Sequence, residues 1–164
     1  MFRAMLLACL LTACGGAGSA PEDTEADETP TAWPEDFETW VCGALQEMEL
    51  NARPAIDDMV DAAEVLDIDG AAEAAERAAD SATAARGMLE LAPRWGPGQN
   101  VVRSLDRSTT LFAQGANLVH AGATNGDVAA IEDGTELIGR ASNRMGDAVD
   151  RVTRLREKTG FSCG

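Results

Sequence analysis

Five carboxylates stand close together early in the chain: Asp57, Asp61 and Glu64 at i, i+4 and i+7, then Asp67 and Asp69. On a helix the first three share one face, and carboxylate oxygens suit a hard cation such as calcium. The Asp67-Ile68-Asp69-Gly70 segment lacks the loop and closing glutamate of an EF-hand, so these residues are only weak metal candidates. The same acids could divide general acid and base roles in a hydrolysis, but carboxylates spread along exposed helix faces lack the dry cleft that such chemistry needs. Other reactive constellations are missing. A single histidine, His120, and the absence of tyrosine remove most triads and multi-histidine metal sites. The Glu-x-x-His element of di-iron bundles, HExxH, phosphate loops, serine nucleophile elbows and Cys-x-x-Cys-His do not occur. No enzymatic activity and no cofactor follow from this sequence.

The balance of charge narrows the partners further. Across 164 residues, 13 Lys+Arg oppose 28 Asp+Glu for a net charge of −15, and Lys158 is the only lysine. Such a chain is poorly suited to phosphate backbones, so nucleic acid is excluded as a partner. With 45% hydrophobic and 25% charged residues, the length fits one globular domain.

The elements that must position these residues are helices. From about Asp36, apolar residues recur every three or four positions: Phe37, Val41, Ala44 or Leu45, Met48, Ala52, Ala55 or Ile56, Met59, Ala63 and Leu66. Pro54 falls inside this stretch and predicts a kink, with a break as the alternative. Ala71 to Leu91 reads as a second helix with a face of Ala71, Ala75, Ala78, Ala82, Ala85 and Leu89, suited to close helix-helix approach. Two prolines and two glycines between Pro93 and Gly98 end it. A third helix follows from about Gln99 to Ala121 on Val101, Leu105, Ser108, Phe112, Ala116 and Val119. Thr124, three residues before Asp127, resembles a cap. The fourth helix carries Val128, Ile131, Thr135, Ile138, Ala141, Met145, Ala148, Val152 and Leu155 and ends near Gly160. No window alternates with period two. The expectation is an all-α domain over residues 33–164, an up-down four-helix bundle with short turns. Similar Gly/Asp openings of the second and fourth helices leave a duplicated hairpin open.

The first residues carry an address. Met-Phe-Arg precedes an apolar run from Ala4 to Leu11, far short of the roughly 20 residues of a bilayer-spanning helix, and then Leu11-Thr12-Ala13-Cys14-Gly15. Leu11-Thr12-Ala13-Cys14 resembles the lipobox of bacterial lipoproteins. The resemblance covers only the start of the chain. It implies a signal peptide over 1–13, cleavage before Cys14, and acylation of Cys14 with a diacylglycerol and chains such as palmitate. It also implies export and a lipid anchor in a bacterial membrane, facing the periplasm or the cell exterior. Gly15 is not the acidic residue that marks inner-membrane retention in that family, so the outer membrane is favoured if there are two. An ordinary secreted protein cut near Gly18-Ser19-Ala20 is the alternative. Residues 14–32, small, acidic and proline-bearing, read as the lipidated cysteine and a disordered acidic tether.

Export leaves Cys42 and Cys163 in the helical domain, and two cysteines in an oxidising compartment predict a disulfide. The bond requires the start of the first helix to lie beside the end of the fourth, which an up-down bundle allows with an even number of helices. That topology gathers Trp33, Phe37, Trp40, Trp95 and Phe161 at the membrane-proximal pole. They read either as a plug over the disulfide or as an exposed platform in which Trp33, Trp40 and Trp95 meet lipid, sugar or a partner. Residues 55–77 and 117–139, at the other pole, hold twelve acids against Arg77, whereas the remainder of the domain balances eleven acids with eleven bases. The acidic pole reads as a solvated face, with a cation site or a docking patch as the sharper alternative. The reading is a membrane-anchored envelope lipoprotein whose helices serve as a binding or scaffolding module, held by the bilayer through Cys14. Its partner surface is sought on the acidic half or in a groove beside the alanine-rich helix. The alternative is a carrier of a small ligand or divalent cation, and a cryptic hydrolase ranks behind it.

Overall fold

In the computed structural model, residues 32–163 are described; the signal segment, Cys14 and the tether before Ala32 lie outside them. The helical periodicity carries through to an all-helical chain with four rods and no strand among the described residues. The first rod comprises α1 (Glu35–Glu47), a π turn (Met48–Ala52) and α2 (Arg53–Glu64). Glu35, Asp36 and Glu38 occupy its first turn, where acids complement the helix dipole. Pro54 has no N–H to donate and its ring crowds the preceding turn. The chain answers by widening that turn, so that the Arg53 N–H donates to the Met48 carbonyl, and the rod continues past the proline. Phe37, Val41, Ala44, Met48, Ala52, Ala55 and Met59 are buried along it. Ala63 and Leu66, expected on the same face, are exposed because the rod ends at Glu64.

The turn out of α2 is a Schellman motif: the Asp67 N–H donates to the Ala62 carbonyl at 2.9 Å and the Leu66 N–H to Ala63 at 3.1 Å. Asp67 then caps α3 (Ile68–Leu91) by accepting from the Gly70 N–H at 3.0 Å. The same construction joins α4 (Gln99–Asn125) to α5 (Val128–Thr159). Asp127 N–H donates to Gly122 at 2.8 Å, Gly126 N–H to Ala123 at 3.5 Å, and Asp127 accepts from Ala130 at 3.2 Å. Thr124 is therefore not the cap of α5; its hydroxyl donates back to the His120 carbonyl inside α4. Every bond of the first turn recurs sixty residues later in the second. Burial repeats as well: Val41, Met48, Ala52, Ala55 and Met59 are buried, as are Val101, Ser108, Phe112, Gly115 and Val119. The chain is thus two αα-hairpins built to one plan.

Small residues decide how closely the rods approach. The buried face of α3 is eight alanines and Leu89, and α3 packs against the first rod on one side and α4 on the other. Between α4 and α5 the backbones nearly touch. A Cβ added to Gly115 or Gly134 would lie 2.6 Å from the other's carbonyl oxygen, and the buried Ser108 hydroxyl donates to the Ala141 carbonyl at 2.8 Å. These contacts run in opposite residue order, so α4 and α5 are antiparallel. Val128 and Thr135, expected on the core face of α5, are exposed.

Gly134→Ala should lower stability by roughly 1–3 kcal/mol through overpacking despite its gain in helix propensity, whereas Gly139→Ala, with nothing within 4 Å of the new Cβ, should raise it by about 0.5–1 kcal/mol. Thermal unfolding of both variants checks the contrast. Leu66 holds a left-handed φ of 62° where the repeated turn places Gly126 at 69°. Leu66→Gly should therefore raise the melting temperature, with a gain of about 0.5–1 kcal/mol.

Candidate functional site

The pole that holds the cysteines is built from the two ends of the chain. Cys42 in α1 is bonded to Cys163, just past α5, with Cα atoms 5.3 Å apart. Phe161, which follows the left-handed Gly160, packs on Phe37 at a ring-centroid distance of 5.5 Å and on Trp95 at 6.4 Å. Trp95 meets Phe37 edge-on at 4.9 Å. Gly98 leaves the room for this stack, since a Cβ there would collide with the Phe37 ring. Phe37 and Phe161 are fully buried and Trp95 is 5% exposed, so these three rings form a plug. The ring of Trp95 is accordingly not open to a partner. Its Nε1 is buried without a hydrogen-bond partner. Trp33 covers the plug, edge-on to Phe161, and donates from Nε1 to Glu38 at 3.3 Å. Trp33 and Trp40 are half-buried.

The acidic residues do not converge. Asp57, Asp61, Glu64, Asp67 and Asp69 are all exposed, and Asp67 already accepts the cap bond of α3. Among the described residues no group of three or more His, Cys, Asp or Glu side chains is placed to hold a metal ion. The nearby Asp58 pairs with Arg77 at 2.8 Å, which ties α2 to α3. His120 is half-buried, with Nδ1 3.0 Å from the Ala72 carbonyl oxygen, a bond that links α4 to α3.

Concave surface appears on the seam between the first rod and α5. The backbones of these two rods do not pack along their length as the other neighbouring pairs do. Large side chains hold them apart, because the interaxial distance follows the side chains at the contact. Two hollows of 440 Å³ each result. Leu45, Met48, Ile56, Phe112, Met145 and Val149 line the first. Met59, Val60, Ile68, Val119 and Ile131 line the second. Val60, Ile68 and Val149 are each close to half exposed. The second hollow also borders the alanine-rich helix, through Ile68 and Ala71 of α3, and a smaller one of 270 Å³ lies between α3 and α4.

No family model, curated protein or solved structure matches this chain. Among the described residues, no helix is long and apolar enough to cross a membrane.

The composition of the domain hides one cluster. Arg103, Arg107, Arg144 and Arg151 line a cleft of 510 Å³ between α4 and α5. In sequence they belong to a stretch whose acids and bases cancel. Their signal lies in spacing: Arg103 and Arg107 at i, i+4, and Arg140, Arg144 and Arg151 at i, i+4 and i+11, on two helices that run antiparallel.

The plug supplies a further test. Trp95→Phe removes a buried N–H without a partner and should leave stability unchanged or raised by up to about 1–3 kcal/mol. Trp95→Ala should cost about 3–5 kcal/mol. Equal losses in chemical denaturation would show that the indole N–H is satisfied after all.

Proposed function

We propose that this chain is an envelope lipoprotein, acylated at Cys14 and tethered by residues 14–32, whose four rods form an up-down bundle that serves as a binding module. The observation that carries the binding role is the open apolar seam between the first rod and α5. Monomeric proteins seldom leave contiguous apolar surface uncovered without an interaction to cover it. The groove offers alternating hollows floored by Phe112 and Val119, with Glu49, Arg53, Asp57 and Glu64 of the first rod among the wall residues. An apolar floor with charged walls suits the amphipathic helix of a partner protein. The bond between Cys42 and Cys163 keeps the seam in register at the end nearer the anchor. The acids concentrated in residues 55–77 and 117–139 then point away from the anionic membrane surface, as charge repulsion favours.

A carrier of a small apolar ligand is the second reading. It draws on the first hollow, whose 440 Å³ lies within the range of about 300–1,000 Å³ typical of ligand pockets.

Two measurements test the proposal. Cys14→Ser should move the protein from the membrane fraction to the soluble fraction and abolish incorporation of labelled palmitate. Photo-crosslinking residues placed at Ile56 and Val149 should capture one reproducible protein in cells that the same probe at exposed Glu76 does not. An apolar small molecule retained through purification, with no cross-linked protein, would select the carrier reading instead.

A further inference from the structure

We propose that the arginine cleft between α4 and α5 is a binding site for an anion that carries two phosphate groups. The cleft holds 510 Å³, and Asp147 is the only acid among its lining residues, against Arg103, Arg107, Arg144 and Arg151. All four guanidinium-bearing side chains are exposed. None forms an ion pair among the described residues, and Arg103 instead donates to Asn100 at 2.6 Å. Four unpaired guanidinium groups sharing one cleft repel one another until an anion enters.

Their order along the seam fits two phosphates. The contacts of Ser108 with Ala141 and of Gly115 with Gly134 fix the antiparallel register. In that register Arg107 faces Arg144. Along the helix axes from Arg107, Arg144 is offset by about 3 Å, Arg103 by about 6 Å and Arg151 by about 13.5 Å, all in the same direction. One phosphate would sit between Arg107 and Arg144, and a second between Arg103 and Arg151. Arginine recognises phosphate oxygens by paired N–H donors in a fixed fork.

The repeat of the fold argues that packing does not require these arginines. Sixty residues earlier, at matching places in the first hairpin, stand Gly43, Glu47, Ala84 and Leu91. The same architecture therefore forms without a base at any of the four positions. The net charge of −15 also sets the size of the ligand. A long polyanion would meet the acids of the rest of the surface, whereas a small one within the cleft is screened from charges beyond roughly 8–10 Å. The arginine cleft shares no lining residue with the apolar seam, so binding at either can fail without the other.

Two sources share this chemistry: a soluble bisphosphate and a lipid headgroup with two phosphates. Calorimetry of the full-length protein at low ionic strength with glucose 1,6-bisphosphate examines the first. Co-sedimentation with cardiolipin vesicles, scored against phosphatidylcholine vesicles so that the N-terminal segment contributes equally, examines the second. Binding in either arm should weaken roughly tenfold in Arg107→Gln and more in Arg107→Gln/Arg144→Gln. Circular dichroism should report an unchanged fold, and exposed Arg94→Gln should bind as the unaltered protein does. Absence of binding in both arms overturns the proposal. So does binding that the double variant leaves intact, or citrate bound as tightly as the bisphosphate.

Discussion

The closure at one pole governs the rest of the structure. The Cys42–Cys163 bond spans 121 residues, and in the chain-entropy model such a loop contributes about 5 kcal/mol. Phe37, Trp95 and Phe161 pack beside it. Together they join the first rod to the end of α5, two elements whose backbones do not pack along their seam. Apart from this tie, close backbone packing joins the first rod to α3 and α5 to α4, and buried side chains of one shared core fill the space between.

Which seams close and which stay open follows from side-chain size. The alanines of α3 and the Gly115/Gly134 pair let backbones approach until carbonyl oxygens limit them. Met48, Ile56, Met145 and Val149 do the opposite on the remaining seam. Core and groove differ here in the volume of their residues more than in polarity. The exposed valines and isoleucines along the groove are a continuation of the core pattern that no neighbouring rod covers.

Much of this was legible in the sequence. Apolar spacing located all four rods, since period and proline or glycine punctuation are local signals, and two cysteines in the helical part of a chain whose start resembles an export signal pointed to their pairing. The π turn was not legible, because Pro54 announces a disturbed helix without saying how the backbone absorbs it. Nor was the left-handed Leu66, a conformation that glycine ordinarily marks. Trp33, Trp40 and Trp95 were indistinguishable as sequence, and only tertiary packing separates the buried Trp95 from the others. The arginine cleft was hidden by averaging: eleven bases cancel eleven acids over residues 33–54, 78–116 and 140–164, yet antiparallel helices bring four of those bases to one cleft.

The sixty-residue repeat bears on how such a protein reaches its final form. Each hairpin turn is sealed by bonds between residues no more than five apart in sequence, so each can assemble from local contacts, the fast kind of folding step. The long connection between Cys42 and Cys163 needs no early encounter of distant segments. Local contacts of this kind can precede it, so that oxidation locks a topology already set rather than searching for one.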